Sequence, residues 1–258
     1  MSERTVGIVG GGRVARILLG GWQRAGRSLT RIVVSDIDRN ALQLLHKEFP
    51  SISVAQDNQQ SAAQDIVLFA LHPPAFPGTL EEVKGSVTPD AIFVSLAPRW
   101  TMSQICAALG GFNHLARVIP NAPSIVNKGY NPVSFSNDLR PEARAEVLSL
   151  FAPLGTCPEV VEDTLEAYAI LAAMGPTYLW YQLYQLTDLG CEFGLGREAA
   201  ETAVAAMVSG AVATMTDSGM GGDAVMDLIP VKPLASLEPT VREAYASVLS
   251  GLHRKLKG

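Results

Sequence analysis

The stretch Thr5-Val-Gly-Ile-Val-Gly-Gly-Gly-Arg-Val-Ala15 places the pattern Gly-x-Gly-x-x-Ala where an apolar strand ends and a helical segment begins. In this pattern Gly10 permits a tight turn, Gly12 lets a ligand approach the backbone closely, and the final alanine lets the helix pack against the strand. The helix offers amide donors and a partial positive charge in its first turn, at Arg13 and Val14. The stretch therefore predicts a binding site for the pyrophosphate of a dinucleotide.

Short apolar runs recur along the first half of the chain, and most are separated by segments with helical periodicity. The runs lie at residues 6–9, 32–35, 66–71, 91–95 and 115–119. Helices are predicted at residues 13–25, 39–49, 102–109, with Thr101 as N-cap, and 141–151. Buried strands that alternate with helices are typical of a parallel, doubly wound sheet. We therefore predict a Rossmann domain over residues 1–161.

Strand-like runs vanish after about Val161, and long apolar helices are predicted at residues 163–174, 177–193, 197–215 and 239–257. Residues 162–258 are therefore expected to form an all-helical domain. The helix from Arg197 is apolar around most of its circumference, which a domain of this size could hardly bury alone. We expect a second copy of the chain to cover it, in a homodimer or a larger homo-oligomer. A central helix wrapped by its own neighbours is the alternative.

Composition narrows the classes of partner. The 258 residues are 48% hydrophobic and 17% charged, which suits a globular core, and a net charge of −5 with scattered Lys and Arg offers no surface for nucleic acid. The cysteines Cys106, Cys157 and Cys191 fit neither a disulfide framework nor a metal motif, and the four histidines are dispersed. No apolar run reaches the roughly 18 to 20 residues that a membrane span needs. We expect a cytoplasmic protein without metal, membrane or nucleic-acid partners.

The second predicted strand ends in Ser35-Asp36, where an acid would accept hydrogen bonds from the adenosine ribose of NAD. The carboxylate of Asp36 repels the 2′-phosphate of NADP, whereas Arg39 is close enough in sequence to offset that repulsion. The predicted cofactor is therefore NAD or NADP, with NAD slightly favoured. The alternatives are an ordinary strand-to-helix turn at the glycines and a helix cap at Asp36.

Four stretches carry a resemblance to a known family. They are Gly7 to Gly21, with Arg13 where Asn is usual, Ala70-Leu-His-Pro73, Ser95-Leu-Ala97 and Arg117-Val-Ile-Pro-Asn-Ala-Pro123. With these motifs the chain resembles the pyrroline-5-carboxylate reductases from Val6 to the final helix. The resemblance implies a nicotinamide cofactor held also by residues after the middle strands, namely Leu71, His72, Pro73, Ala97 and Asn121.

The chain departs from the family in the helical domain, where the family binds its substrate. The family's Ser-Gly-Ser-Gly-Pro-Ala-Tyr becomes Ala172-Ala-Met-Gly-Pro-Thr-Tyr178, and Ser-Pro-Gly-Gly-Thr-Thr becomes Val231-Lys-Pro-Leu-Ala-Ser236. The resemblance leaves Tyr178 and Ser236 as catalytic candidates, because Ser236 falls where the family has a Thr that hydrogen-bonds the ring nitrogen. Lys232 is new, and it is either a partner for a substrate carboxylate, a proton donor, or a solvated surface charge.

Three functions follow as hypotheses. The first is an NAD(P)H-dependent reductase of the family, acting on the C=N bond of a cyclic imino acid or a related imine. The second keeps the redox class but acts on a carbonyl or a deazaflavin, as the related coenzyme F420-dependent NADP reductases do. The third is an NAD(P)-binding regulatory dimer without catalysis, which a pocket filled by Met174 and Leu234 would favour.

Overall fold

The computed structural model describes residues 4–257 and contains nine strands within that range. In chain order these are β1 (Val6–Val9), β2 (Ile32–Ser35), β3 (Ser53–Val54), β4 (Ile66–Phe69), β5 (Ile92–Ser95), β6 (Leu115–Val118), β7 (Gly129–Tyr130), β8 (Val133–Phe135) and β9 (Gly155–Thr156). Seven of them form one sheet in the order β3-β2-β1-β4-β5-β6-β8. All pairs are parallel except β6 with β8, and β7 pairs with β9 separately.

Helices connect these strands and form the C-terminal part of the chain. They are α1 (Arg13–Arg24), α2 (Arg39–Glu48), α3 (Asn58–Ala62), α4 (Phe76–Val83), α5 (Met102–Ala108), α6 (Pro141–Phe151), α7 (Leu165–Tyr168), α8 (Pro176–Glu192), α9 (Arg197–Asp217), α10 (Gly222–Asp227) and α11 (Glu238–Lys257). Several start at side-chain caps that the sequence supplies. The Asp38 carboxylate accepts from the amides of Asn40 and Ala41 at the start of α2, and Thr101 forms a reciprocal capping box with Gln104 at α5.

The large sheet is covered on both faces, as a doubly wound sheet requires. Alternate residues of the central strands enter different clusters: Ile8 and Leu68 join a core that contains α1, α2 and α6, whereas Val9 and Phe69 join one that contains α4 and α5. The first core contains Trp22, which is fully buried and donates its Nε1–H to the carbonyl of Leu150 at 2.7 Å. This arrangement confirms the predicted Rossmann domain.

The predicted helix over residues 163–174 is wrong as a single element. The chain forms a 3₁₀ turn at Glu162–Thr164, then α7, then a π-helical turn at Ala169–Ala173 in which the amide of Met174 donates to the carbonyl of Ala169 at 2.9 Å. Pro176 has no amide hydrogen, so the regular pattern of helical backbone hydrogen bonds is interrupted at the start of α8. The wider turn ends one helix before the next begins.

The described chain divides into two compact units. The first extends to Met174 and includes the final turn from Leu252, and the second is Gly175–Gly251. The domain boundary expected near Glu162 lies earlier in the chain and stays a prediction. Within residues 175–251, all of which the structure describes, only Thr187 and Ala200 are buried.

The helix α9 meets the length and composition expected of a membrane-spanning helix, although almost none of it is buried. The sequence expectation that no segment does so was wrong. Ser, Thr and Gly interrupt the apolar runs of this helix without making it polar on average, so counting uninterrupted runs missed it.

Candidate functional site

The strand order reverses between β1 and β4, and this reversal opens a crevice at the carboxyl ends of the two strands. The chain passes from β1 outward through β2 to β3 and then returns to β4 on the other side of β1. Such a switch point is where open α/β sheets bind ligands. Gly10 lies there with a φ of 107°, and a Cβ on it would come within 2.7 Å of the carbonyl oxygen of Ala70. Only glycine fits this turn.

The first turn of α1 faces open space. Gly12 is the N-cap and has no side chain to satisfy the amides that follow, at Arg13 and Val14. A Cβ built on Gly12 would meet no atom within 4 Å. An anion can therefore approach these amides closely, at the positive end of a 12-residue helix.

Asp36, at the end of β2, is tied to the glycine turn. Its Oδ2 accepts from the amide of Gly11 at 2.7 Å, and its Oδ1 accepts from the amide of Asp38 at 2.8 Å. Asp38 rather than Asp36 caps α2, so the alternative interpretation of Asp36 as a cap is not supported. The two hydrogen bonds fix a carboxylate at the edge of the crevice.

A cavity of about 290 Å³ opens beside Asp36, on the β2 side of the crevice; it is lined by Ser35, Asp36, Ile37, Arg39, Ala55, Gln56, Asp57, Asn58 and Glu82. Two side chains that line the cavity lack partners within the protein. The Oγ of Ser35 is buried with no hydrogen-bond partner, and Ile37 is 96% exposed. An adenosine group suits such a wall, because it offers polar ribose atoms and an apolar ring face. Gly12, Asp36 and Ser35 together fit a dinucleotide.

Arg39 also lines this cavity, but its guanidinium is engaged. It donates to the carbonyl of Ala55 at 3.2 Å and to that of Gln56. A 2′-phosphate on the ribose would have to compete with both carbonyls for this side chain.

The predicted cofactor residues after β4 and β5 lie at the same edge of the sheet. Leu71 is half-buried and packs next to Gly10, since its Cδ2 is 3.0 Å from where a Cβ on Gly10 would be. His72 has an exposed side chain, Pro73 is half-buried, and Ala97 is buried after the end of β5. The structure therefore brings Gly10, Asp36 and Leu71 together around one crevice.

Asn121, after β6, is buried and uses its side chain to hold backbone. Its Nδ2 donates to the carbonyl of Ala172 at 3.2 Å, and its Oδ1 accepts from the amide of Tyr130 at 3.1 Å. The prediction that Asn121 lines the cofactor pocket stays a prediction.

A buried ion network beside this edge escaped the sequence analysis. Arg117 on β6 is 0% exposed and donates to Glu162 at 3.0 Å and to Glu166 at 2.7 Å. Burial by itself would raise the pKa of Glu166, but the hydrogen bond and charge of Arg117 outweigh it and hold that pKa below its ordinary value. The available signal was a charged residue within an otherwise apolar strand, together with two glutamates four residues apart.

The three catalytic candidates lie in the second unit. Tyr178 is on α8, 5.9 Å from Tyr245 between ring centroids, and burial with the neighbouring Tyr245 raises its pKa. Lys232 and Ser236 share one exposed segment between α10 and α11, where the carbonyl of Lys232 accepts from the amide of Ala235. Leu234 is 69% exposed, so in the described chain it does not fill a pocket.

The cysteines are free, and Cys157 is buried enough to raise the pKa of its thiol to about 12. Within residues 4–257 no group of three or more His, Cys, Asp or Glu side chains is arranged to hold a metal ion.

Comparison with known proteins finds similarity to a family model and to individual enzymes. Residues 5–99 match the family described as NADP oxidoreductase, coenzyme F420-dependent. The pyrroline-5-carboxylate reductase of Escherichia coli is 27% identical over 229 residues, covering 88% of this chain and 85% of that protein.

Two solved structures extend the likeness to the whole chain. A pyrroline-5-carboxylate reductase from Coxiella burnetii has a TM-score of 0.70 at 25% identity, covering 98% of this chain and 94% of that one. The Plasmodium falciparum pyrroline carboxylate reductase with NADP bound has a TM-score of 0.86 at 20% identity, covering 100% and 98%. At this lower identity, the Plasmodium structure shows only that the two chains share a fold.

Proposed function

We propose that the chain is a member of the pyrroline-5-carboxylate reductase family, whose proteins it resembles over most of its length, and that it is an NAD(P)H-dependent reductase of the C=N bond in a cyclic imino acid or a related imine. The observation that carries the proposal is the crevice formed by Gly10, Gly12 and Asp36 at the switch point of the sheet. The motifs after β4 and β5 lie at the same edge of the sheet and would extend the crevice toward the nicotinamide end.

The residues of this chain divide the binding task. The amides of Gly12, Arg13 and Val14 would hold the pyrophosphate, and Asp36 would accept from the ribose hydroxyls. When bound, the reduced nicotinamide supplies a hydride to the imine carbon while the nitrogen gains a proton, so that C=N becomes CH–NH. Ser236 would hydrogen-bond the imine nitrogen, and Lys232 would pair with an anionic group of the substrate.

We propose NADH as the preferred cofactor. The fixed carboxylate of Asp36 opposes a 2′-phosphate, and the guanidinium of Arg39 would give up hydrogen bonds to two carbonyls if it turned toward one. The NADP in the Plasmodium relative shows that the fold also accepts the phosphorylated form in another member.

We propose a homodimer in the cytoplasm, with residues 175–251 as the contact. This unit exposes large apolar side chains on every helix, including Tyr184, Met215 and Met226, while only two of its residues are buried. Exposed apolar area of this extent marks an interface in a globular protein. We take a second copy of the same surface as the partner, because most soluble oligomers are symmetric homo-oligomers.

The test is the oxidation of NADH and of NADPH by purified protein, with pyrroline-5-carboxylate as substrate and cofactor binding measured separately by calorimetry. Turnover with NADH at lower KM than with NADPH is the expected result. Tight cofactor binding without turnover would instead direct the search to other imines or to the regulatory hypothesis. Failure to bind either dinucleotide would overturn the proposal.

A further inference from the structure

Arg99, in the loop after β5, has an unusual backbone. Its φ is 78°, in the left-handed region that disfavours residues with a Cβ. Within residues 4–257 the other such residue that is not glycine is Asn127, whose side chain donates to the carbonyls of Gly21 and Pro153 and so ties its turn to two distant segments. Asparagine tolerates this conformation, whereas arginine gains nothing from it locally. Strained residues of this kind concentrate at functional sites.

The buried ion network holds this strained loop in place. The Oε1 of Glu166 accepts from the amide of Arg99 at 3.2 Å, and the Oε1 of Glu162 accepts from the amide of Met102 at 2.6 Å. Both carboxylates are anchored by Arg117. The low pKa of Glu166 keeps it charged near neutral pH. The loop between Arg99 and Met102 is thus clamped at both ends.

The side chain of Arg99 has no comparable attachment. Arg99 is exposed, and in the part of the chain that the structure describes its guanidinium makes no ion pair or hydrogen bond. Its neighbour Trp100 is stacked on Phe76 with ring centroids 4.9 Å apart, which further fixes the loop. The buried ion network therefore fixes the loop that carries the exposed guanidinium of Arg99.

The position of this cation follows from the strand order. The cavity beside Asp36 lies at the end of β2, and Arg99 follows the end of β5, on the other side of β1 and β4. Strand spacing places the β5 loop about 10 Å from the glycine turn of β1. A dinucleotide with its adenosine at β2 and its pyrophosphate at β1 would have its nicotinamide end toward β4 and β5.

We propose that Arg99 binds an anionic oxygen group at the nicotinamide end of the crevice, and that Glu166 and Arg117 are positioning residues for it. The group is either the carboxylate of the substrate or a phosphate oxygen of the dinucleotide. For the substrate carboxylate the inference rests on the proposed function above. A guanidinium suits both groups, since it forms paired, charge-assisted hydrogen bonds with either.

Three variants separate the charge of Arg99 from its backbone. Arg99→Gly removes the charge and relieves the strain, Arg99→Asn removes the charge and tolerates the left-handed conformation, and Arg99→Lys keeps the charge. We expect the Gly and Asn variants to weaken binding by roughly ten- to a hundredfold, and the Lys variant to retain most of it. The Gly variant should also unfold about 2–4 °C higher than wild type. Better folding with worse binding is the signature of a residue held for function.

The readouts distinguish the two anionic groups. A higher KM for pyrroline-5-carboxylate with unchanged dinucleotide Kd would assign the carboxylate, and a higher Kd for NADH and NADPH would assign the phosphate. If wild type binds the dinucleotides but reduces neither pyrroline-5-carboxylate nor any other imine tested, the proposed function fails on its own, and the dinucleotide Kd values then decide the role of Arg99. Binding constants within twofold of wild type in both the Gly and Asn variants would overturn the proposal.

A double-mutant comparison tests the positioning role. Glu166→Gln should raise the same constant that Arg99→Asn raises, and it should have little further effect on that constant when Arg99 is already Asn. Independent, multiplicative effects of the two substitutions would show that Glu166 does not act through Arg99.

Discussion

The two outer glycines of the turn after β1 meet different physical demands. At Gly10 a side chain would collide with the backbone of Ala70 and the φ is positive, so the fold itself requires glycine. At Gly12 the space is open and the φ of −79° is ordinary, so the free protein has room for a side chain. In the proposed dinucleotide site, glycine at this position would let the pyrophosphate come close to the backbone.

This contrast gives a prediction for Gly12→Ala. We expect the melting temperature to change little, because the new Cβ meets no atom, and the Kd for NADH to rise about tenfold or more, because the methyl group occupies the approach of the pyrophosphate. Calorimetry and thermal unfolding measure the two effects. The matched variant Gly10→Ala should lower the melting temperature as well. An unchanged Kd in Gly12→Ala would show that the dinucleotide does not contact this turn.

Ser236 carries the prediction for catalysis. If its hydroxyl donates to the imine nitrogen, Ser236→Ala should lower kcat by roughly a hundredfold and leave the Kd for NADH unchanged. Steady-state kinetics with pyrroline-5-carboxylate measure this. Ser149→Ala, on the exposed side of α6, is the control and should be silent. Equal rates for wild type and Ser236→Ala would remove Ser236 from the chemistry.

At the residue scale, the sequence predicted those features that follow from local pattern. The glycine turn and Asp36 are spaced by the strand-helix-strand unit, so counting along the chain places them at one crevice. The pairing of Arg117 with Glu162 and Glu166 joins residues 45 and 49 positions apart. No local pattern reports such a contact. The orphan hydroxyl of Ser35 is likewise visible only when its surroundings are known.

At the scale of elements, prediction succeeded where apolar runs were continuous. The bounds of β1, β2 and α6 agree with the structure, because each is set by burial on both faces or by a proline at the first helical turn. The short elements β3, α3 and β8 were missed. They contain two to five residues and carry polar positions, so their periodicity is too brief to recognise, and pairing with longer neighbours decides them.

The connection between β6 and α7 gives a pH prediction. Because the folded-state pKa of Glu166 lies below the ordinary value of 4.5, its stabilising contribution is complete above that pH and is lost as the pH falls through the folded-state pKa. Glu166→Gln should lower the free energy of unfolding by about 3 kcal/mol at pH 7, since Arg117 loses a buried partner. The deficit should shrink as the pH drops below 4.5.

Denaturant unfolding at several pH values measures this deficit. Glu48→Gln is the control, because it breaks the exposed pair with Arg16 and should cost less than about 1 kcal/mol. A deficit that is constant from pH 7 to pH 3 would mean that the charge of Glu166 is not the source of its contribution.

At the scale of the whole molecule, the unit Gly175–Gly251 lacks a core of its own. If a second copy covers it, Val212→Glu on α9 should convert dimers to monomers in sedimentation velocity experiments and lower the melting temperature, because a buried charge would face an apolar partner. Leu44→Glu on α2 starts from a residue that is also exposed, at 68% against 54% for Val212, and should change neither. A Val212→Glu protein that stays dimeric would move the interface off this face of α9. Wild-type protein that requires detergent would favour a membrane instead.

The stacking of Trp100 on Phe76 also gives the protein an internal optical reporter. The chain has three tryptophans: Trp22 is sealed in the core, and Trp180 is 45% exposed on α8. Trp100 sits beside the clamped Arg99. The reduced dihydronicotinamide ring, unlike the oxidised ring, absorbs where indole emits, so a reduced dinucleotide that reaches the β5 loop should quench Trp100 by energy transfer. Replacing Trp100 with Phe would preserve the ring stack and remove that signal. Quenching of Trp100 fluorescence would therefore report occupancy of the crevice without turnover.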